Sequence, residues 1–534
     1  MAKMQHLDLN QRAAEFLESL LDRVRTNLPA LDRVLAHYGR LSLLDYLGQF
    51  SATVEPSLQS CEPLLHIVYR CAEPLLGAAV ARRVADDLAS QPLVLTANHH
   101  GVDYYAQTLQ SRLILALRNI SGLSPARTLP VFACSNIPLN NLTYPRGLLF
   151  YRPPAGKETD GPYRFPLFPD RLKRTMVAAT PAWDAALLSQ ARARLRGLAC
   201  QGRLAPDTAL AAQMVLAEDY RSVIRPALPS YPQQATAVNR LIWQRLFDRG
   251  LNPPEMIYLE LEYLASELLR QDLADQHSLA HGVFFDKELR EGVLAALDGI
   301  RGCWNRGALG RRFAAEPREG LAGGAAAPCG TVFFWGRDAA GRRIPLDLHP
   351  SGSGKTVLRG RDDSGRITEI PWSPQTLADS LEVRRLYPSL FTSFLVLALA
   401  RAVSCIGGYY QGEYLPAMQR GLAAALRGTA GYGDVACTIL RVPTDLYLDG
   451  MAAVMGRAAD GGLIPAGPLE IIAGGGLTPD DVARMGSLTV SEAHLAGLYE
   501  TVSDAVPPEL RMTNWRRELA NACSALFEGK VVIR

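Results

Sequence analysis

The stretch from Pro92 to Cys134 constrains the fold more than any other. Pro92-Leu93-Val94-Leu95-Thr96-Ala97 is a short apolar run of β character, and it breaks off into Asn98-His99-His100-Gly101. A segment of helical composition follows over about 104–118, with Leu109, Leu113, Ile114 and Leu117 on one face. Leu129-Pro130-Val131-Phe132-Ala133-Cys134 is a second apolar run. Strand, polar loop, helix and strand in this order make a βαβ unit, so the two strands are expected to be parallel.

The flanking sequence sets the expected organisation. Residues 1–90 read as helical, with Leu17, Leu20, Leu21 and Val24 at helical spacing. From 181 to 297 no strand is expected. Helical stretches at 183–200, 208–224, 235–247 and 255–273 are punctuated by Pro206, Pro226 and Pro253-Pro254. Residues 314–330 are Ala/Gly-rich and read as a linker. Thr331-Val332-Phe333-Phe334-Trp335 is strand-like and is expected to join the sheet of the 93–134 runs, and 336–341 reads as a turn. Residues 343–346 and 366–370 suggest a small antiparallel element, and Ser373-Pro374 a helix start. Residues 388–427 read as mixed helix and glycine turn, and Ala473-Gly474-Gly475-Gly476 as a loop before a helix start at Thr478. The fold class is α/β: a Rossmann-like parallel sheet over 91–170 and 326–430, a helical insertion over 171–325, and helical extensions over 1–90 and 431–534.

Composition excludes several functions. The 534 residues carry 56 Lys+Arg and 53 Asp+Glu, a net charge of +3. Such a balance argues against nucleic-acid binding and against a polybasic membrane surface. The nine cysteines include no Cys-x-x-Cys pair, so neither a disulfide framework nor a structural zinc site is expected. The greasiest run, Phe394 to Ala400, is closed by Arg401 and falls far short of the roughly 18 apolar residues of a membrane span. The N-terminal residues have no apolar signal core. The expectation is a cytoplasmic protein whose partners are a small-molecule substrate and, as a homodimer, a second copy of the chain.

The chemistry is expected at the loop after the first strand. In open α/β sheets, ligands bind outside the carboxyl ends of the strands. There His99 or His100 can act as acid or base, and backbone N–H groups can hold an anion. His99, His100 and Asp103 also suggest an acyltransferase, although both histidines miss the His-to-Asp spacings that such enzymes use. His349 to Thr356 resembles a phosphate loop but has His at its first glycine position, so a hairpin loop is preferred. His277 and His281 have the spacing of two ligands on one helix, but no third ligand is set, and a surface pair is preferred. Cys134 reads as a buried free thiol. Around Gly407, Gly408, Tyr409, Gln411 and Glu413, glycines allow close backbone approach and the side chains supply hydrogen bonds; a packed helix turn is the equal alternative.

In this order the pieces resemble the bacillithiol-biosynthesis cysteine-ligase (BshC) family. That family has a strand ending in a Thr-Gly-Gln/His-Gln-x-Gly type loop, a helix, a Pro-Val-Phe strand and later a Gly-Gly-x-x-Glu-x-x-Tyr-like segment. The counterparts are Thr96 to Gly101, then Pro130-Val131-Phe132, then Gly407-Gly408 through Glu413-Tyr414. The resemblance implies a Rossmann-like core with helical additions, a reaction joining cysteine to the amino group of a glucosaminyl-malate, and binding of ATP or ADP. The family has an acidic, histidine-containing stretch after Pro-Val-Phe, whereas Ser135 to Asn141 here carries no charge. The same scaffold with a different substrate is therefore expected.

The expected reaction is attack by an amine or thiol on an activated carboxyl. His99 or His100 would take the proton, Asn98 and backbone N–H groups would hold the oxyanion, and Glu413 would orient the amine. Asp103 completes the catalytic set. Gly101, Asn136, Asn140, Asn141, Gly407, Gly408, Tyr409 and Gln411 would line the site, and Arg337 would clamp a carboxylate or phosphate. A non-catalytic nucleotide- or metabolite-binding scaffold is the remaining alternative.

Overall fold

The computed structural model describes residues 2–50, 57–152, 161–314, 330–352, 354–458 and 460–534. Five helices, Ala2–Asn27, Pro29–Tyr38, Leu43–Gly48, Glu62–Leu76 and Ala78–Ser90, occupy the N-terminal stretch as its periodicity predicts. Leu17, Leu20, Leu21 and Val24 form the buried stripe of the first, which packs against the C-terminal helix Trp515–Phe527.

The 92–134 unit folds as its pattern predicts. Strand Leu93–Leu95, helix Ala106–Ile120 and strand Thr128–Ala133 follow one another, and the strands are parallel. The sheet has four parallel strands in the order Ser404–Ile406, Leu93–Leu95, Thr128–Ala133, Glu255–Glu260.

Two of these strands depart from expectation. Glu255–Glu260 lies in the stretch read as wholly helical, where helix Leu261–Ala274 begins only after the strand. Its run Met256-Ile257-Tyr258-Leu259 is buried on both faces, and an apolar run of this length has neither strand nor helix period. Ser404–Ile406 lies in the stretch read as helix and turn, and three buried residues carry no alternation to read.

The 331–335 run does not join this sheet. Phe334–Arg337 pairs antiparallel with Arg343–Pro345 and Leu386–Pro388, in a separate three-stranded sheet. Beside it, Asp347–Pro350, Thr356–Arg361 and Ile367–Pro371 form another antiparallel sheet. The 349–356 segment is thus a hairpin, with Pro350 opposite Thr356, and no helix follows it as a phosphate loop requires. The Ser373 hydroxyl caps helix Pro374–Glu382 at the Thr376 N–H, and Thr478 caps Pro479–Ser487. The linker expected at 314–330 falls almost wholly outside the described residues.

The greasy 394–400 run is core. Leu395–Leu399 is a fully buried π-helical turn, and Arg401 ends the run by pairing with buried Asp272 at 2.6 Å. Among the described residues no helix is long and apolar enough to cross a membrane. His277 lies in the turn before helix Leu279–Phe285 and His281 inside it, so the two do not share a helix face.

Candidate functional site

Three strand ends build the floor of the site. After Leu95 the chain stays extended: His99 bridges Cys134 in parallel, the His100 N–H donates to the Cys134 carbonyl at 2.7 Å, and the Cys134 N–H to the Asn98 carbonyl at 2.9 Å. Ala133 lies beside Glu260. The Asn98–His100, Ser135–Asn136 and Glu260–Glu262 segments therefore sit side by side at the carboxyl edge.

The histidine loop is held from beneath by groups that the sequence did not advertise. Helix Tyr231–Arg245 supplies the Tyr231 hydroxyl, which accepts the Val102 N–H at 3.0 Å and donates to the Pro145 carbonyl. From the same helix, Asn239 Nδ2 donates to the Gly101 carbonyl at 2.7 Å and Oδ1 accepts the Asp103 N–H at 3.0 Å. Gly101 has φ +130°, and a Cβ there would come within 2.5 Å of Pro145 Cβ, so this turn needs glycine. The Tyr258 hydroxyl donates to the His99 carbonyl at 2.7 Å, and its ring stands edge-on to His100, 5.4 Å between centroids.

Asp103 is committed to its own helix. Its carboxylate pairs with Arg112 at 3.1 Å, with both side chains about 2% exposed, and accepts the Tyr105 N–H at 2.9 Å and the Thr108 hydroxyl at 2.8 Å. It anchors the loop at the entrance to helix Ala106–Ile120.

His99 is half-buried at the rim. Its Nδ1 meets the Thr143 hydroxyl at 3.4 Å, which brings the 135–143 loop onto the histidine loop. Its pKa falls to about 4, chiefly through burial with a smaller contribution from Arg343, against the opposing pull of Asp103 and Asn141. His100 is fully buried, and burial brings it to about 4, with Glu260 raising and Arg384 lowering it. Both imidazoles are neutral at pH 7. Among the described residues, neither ring nitrogen of His100 has a hydrogen-bond partner, nor does Asn98 Nδ2.

Two carboxyls beside them escaped notice. The Glu262 carboxylate accepts the Ser135 N–H at 2.7 Å, the Ser135 hydroxyl at 3.0 Å and the Asn136 N–H at 3.4 Å. Burial outweighs these donors and raises its pKa to about 7. Burial also acts to raise Glu260, but Arg384, paired to it at 2.8 Å, holds it below the usual range. Arg384 has φ +53°, a left-handed backbone that costs energy in a residue with a Cβ. A Glu-x-Glu directly after an apolar run could have revealed this pair had 255–260 been read as a strand.

The antiparallel sheet forms the wall. Trp335 lies opposite both Tyr387 and Pro345, and Arg337 opposite Arg343, so these side chains share one face. The other face, with Phe334 and Ile344, enters the core. Arg337 lies in a strand rather than in a turn. Arg337 and Arg384 both draw down the Tyr387 hydroxyl, whose burial nonetheless leaves it raised.

Of the remaining expected residues, Asn136 and Asn141 contact this set, whereas Asn140 and the 407–413 segment bond elsewhere. Asn136 is buried beneath Glu262, Asn140 is exposed with its N–H on the Lys173 carbonyl, and Asn141 Oδ1 accepts the Thr143 N–H at 3.3 Å. Gln411 fills the space against Gly407 and ties two strands together, exchanging hydrogen bonds with the Thr96 hydroxyl and donating to the Cys405 carbonyl at 3.2 Å. Gly408 lies against Asp449, the Tyr409 hydroxyl donates to Asp504, and Glu413 accepts the Ala30 N–H at 3.5 Å. These contacts join the 407–413 segment to helix Pro29–Tyr38 and to the C-terminal region.

Comparison of the chain with family models, with curated proteins and with solved structures finds no match.

Proposed function

We propose that the chain is a small-molecule condensing enzyme of the bacillithiol cysteine-ligase type, built on a Rossmann-like sheet and working in the cytoplasm, with its active site at the strand ends around His99 and His100. The observation that carries this reading is the buried polar set without partners among the described residues: both ring nitrogens of His100 and Asn98 Nδ2. Folded proteins rarely leave such groups unsatisfied, and a catalytic role is one explanation where they do.

In this reading a neutral histidine accepts a proton from the amine or thiol as it attacks an activated carboxyl, Asn98 donates to the oxyanion that forms there, and collapse of that oxyanion expels the activating group. Glu262, poised near neutrality, takes up or returns a second proton. Thr143 orients His99, and Tyr258 and Asn239 hold the loop in place. The nucleotide implied by the resemblance finds no phosphate loop at 349–356, which is a hairpin. The acyltransferase alternative needs Asp103 to orient a histidine, whereas its carboxylate is occupied by Arg112, Thr108 and Tyr105.

The test offers the full chain cysteine, ATP and amino-sugar acceptors and seeks, by mass spectrometry, a product equal to the two reactants less water. Product from the wild type, lost in both His99→Gln and His100→Gln, supports the assignment. Undiminished turnover in both variants overturns the base role. Reactant binding without product points to the scaffold alternative.

A further inference from the structure

Three arginines from separate parts of the chain gather on one carboxylate. Asp363 sits at the tip of the hairpin joining strands Thr356–Arg361 and Ile367–Pro371, and it pairs with Arg174. Arg312, from helix Arg306–Ala314, lies 3.7 Å from Asp363 Oδ1. Arg342, from the turn before strand Arg343–Pro345, lies 3.7 Å from Oδ2. All four side chains are open to solvent, from 36% exposed at Arg342 to 58% at Arg174.

The donors of this cluster are largely unspent. At 3.7 Å neither Arg312 nor Arg342 is within hydrogen-bonding distance of the carboxylate, and among the described residues neither guanidinium makes a hydrogen bond elsewhere. Two adjacent carboxylates are engaged by backbone instead: Asp362 Oδ1 accepts the Ser364 and Arg366 N–H groups, both at 2.9 Å, and Asp338 Oδ1 accepts the Arg342 N–H at 2.7 Å. A surface staple does not need this arrangement, because Arg174 alone satisfies Asp363 and each further cation repels the first. The backbone holds the arginines together all the same. The Met176 N–H donates to the Gly341 carbonyl at 2.9 Å and the Thr175 hydroxyl to the Ala340 carbonyl at 3.2 Å, which ties the Arg174 segment to the Arg342 turn.

We infer that Arg174, Arg312 and Arg342 form a binding site for the phosphate group of a small molecule, with Asp363 occupying its centre as an internal stand-in. Guanidinium forks match the oxygens of a phosphoryl group, which offers three of them, one to each arginine. Its second negative charge suits a cluster that a single carboxylate leaves cationic. The incoming phosphate displaces Asp363, whose exposed ion pairs hold it only weakly and whose place at a hairpin tip lets it turn to solvent. The cluster is described by its own contacts, and the inference does not rest on reading the strand ends as an active site.

The experiment is isothermal titration calorimetry on the full chain, with inorganic phosphate and separately with succinate. Saturable phosphate binding that weakens as salt rises is expected, with succinate weaker. Arg312→Gln and Arg342→Gln should each weaken phosphate binding about tenfold or more, the loss of one charge-assisted contact. Asp363→Asn removes the competing anion and should tighten binding about threefold or more, an effect that a merely structural ion pair would not produce. Arg196→Gln, on the exposed face of helix Ala185–Cys200, should leave binding unchanged. Thermal unfolding checks that each variant folds, and should an arginine variant fail to fold, Asp363→Asn carries the test. Absence of saturation by phosphate even in Asp363→Asn overturns the inference. So does binding undiminished in both arginine variants, or an affinity that Asp363→Asn leaves unchanged or lowers. Succinate binding as tightly as phosphate overturns the choice of a phosphoryl group.

Discussion

Glu262→Gln turns the environment of the buried carboxyl into a stability measurement. The wild-type group has an ordinary pKa of 4.5 when unfolded and about 7 when folded, because burial disfavours the charge more than Ser135 and Asn136 favour it. Between these values the folded state holds a proton that the unfolded state has released. Protonation therefore favours folding: the contribution is full below about pH 4.5 and is lost as pH rises through 7. The loss is about 3 kcal/mol once the group ionises in both states. Glutamine cannot ionise, yet it keeps an oxygen for Ser135, while its amide nitrogen faces the Asn136 N–H at a cost of about 1 kcal/mol. The variant should be slightly less stable than wild type at about pH 4.5 and more stable by about 2 kcal/mol above about pH 8. Urea unfolding followed by tryptophan fluorescence at a series of pH values reads the difference, and other titrating groups cancel between the two proteins. A difference that stays flat with pH would refute a carboxyl poised near neutrality.

Three further outcomes follow from the same contacts. Arg112→Met strands the Asp103 carboxylate in the interior and should cost about 3–5 kcal/mol in urea unfolding, whereas Asp103→Asn with Arg112→Met should recover much of that loss. Gly101→Ala forces a side chain into φ +130° and against Pro145, and should lower stability by at least about 1–3 kcal/mol, read as a fall in Tm. His494 is buried against Tyr447, and burial lowers its pKa from 6.5 to about 3. Its unfolded form therefore binds the extra proton, so stability is full above about pH 6.5 and lost as pH falls. His494→Phe should remove about 2 kcal/mol of that acid sensitivity between pH 7.5 and pH 5, seen as a smaller shift in urea midpoint.

The parts of the fold legible in the sequence were those with a local signature. The 93–133 unit, the N-terminal helices and the caps at Ser373 and Thr478 each rest on periodicity or on a side chain bonding its own backbone a few residues away. Glu255–Glu260 and Ser404–Ile406 were hidden because a strand buried on both faces has no alternation, and a chain cannot show locally which distant strand will pair with it. The 331–335 run was recognised as β but assigned to the wrong sheet, since pairing partners are chosen by long-range packing.

The site divides along the same line. Sequence alone placed two histidines at the carboxyl end of a parallel strand, because strand, loop and helix follow within one segment. Only the tertiary structure brought Glu260 and Glu262 beside them, set the Asp103 N–H on Asn239, and turned Gln411 into a tie to Thr96. The reason is physical. Backbone periodicity is settled within a few residues, whereas burial, pKa and charge pairing depend on groups that meet only when segments more than a hundred residues apart along the chain (His100 and Glu260, or Asp103 and Asn239) pack together.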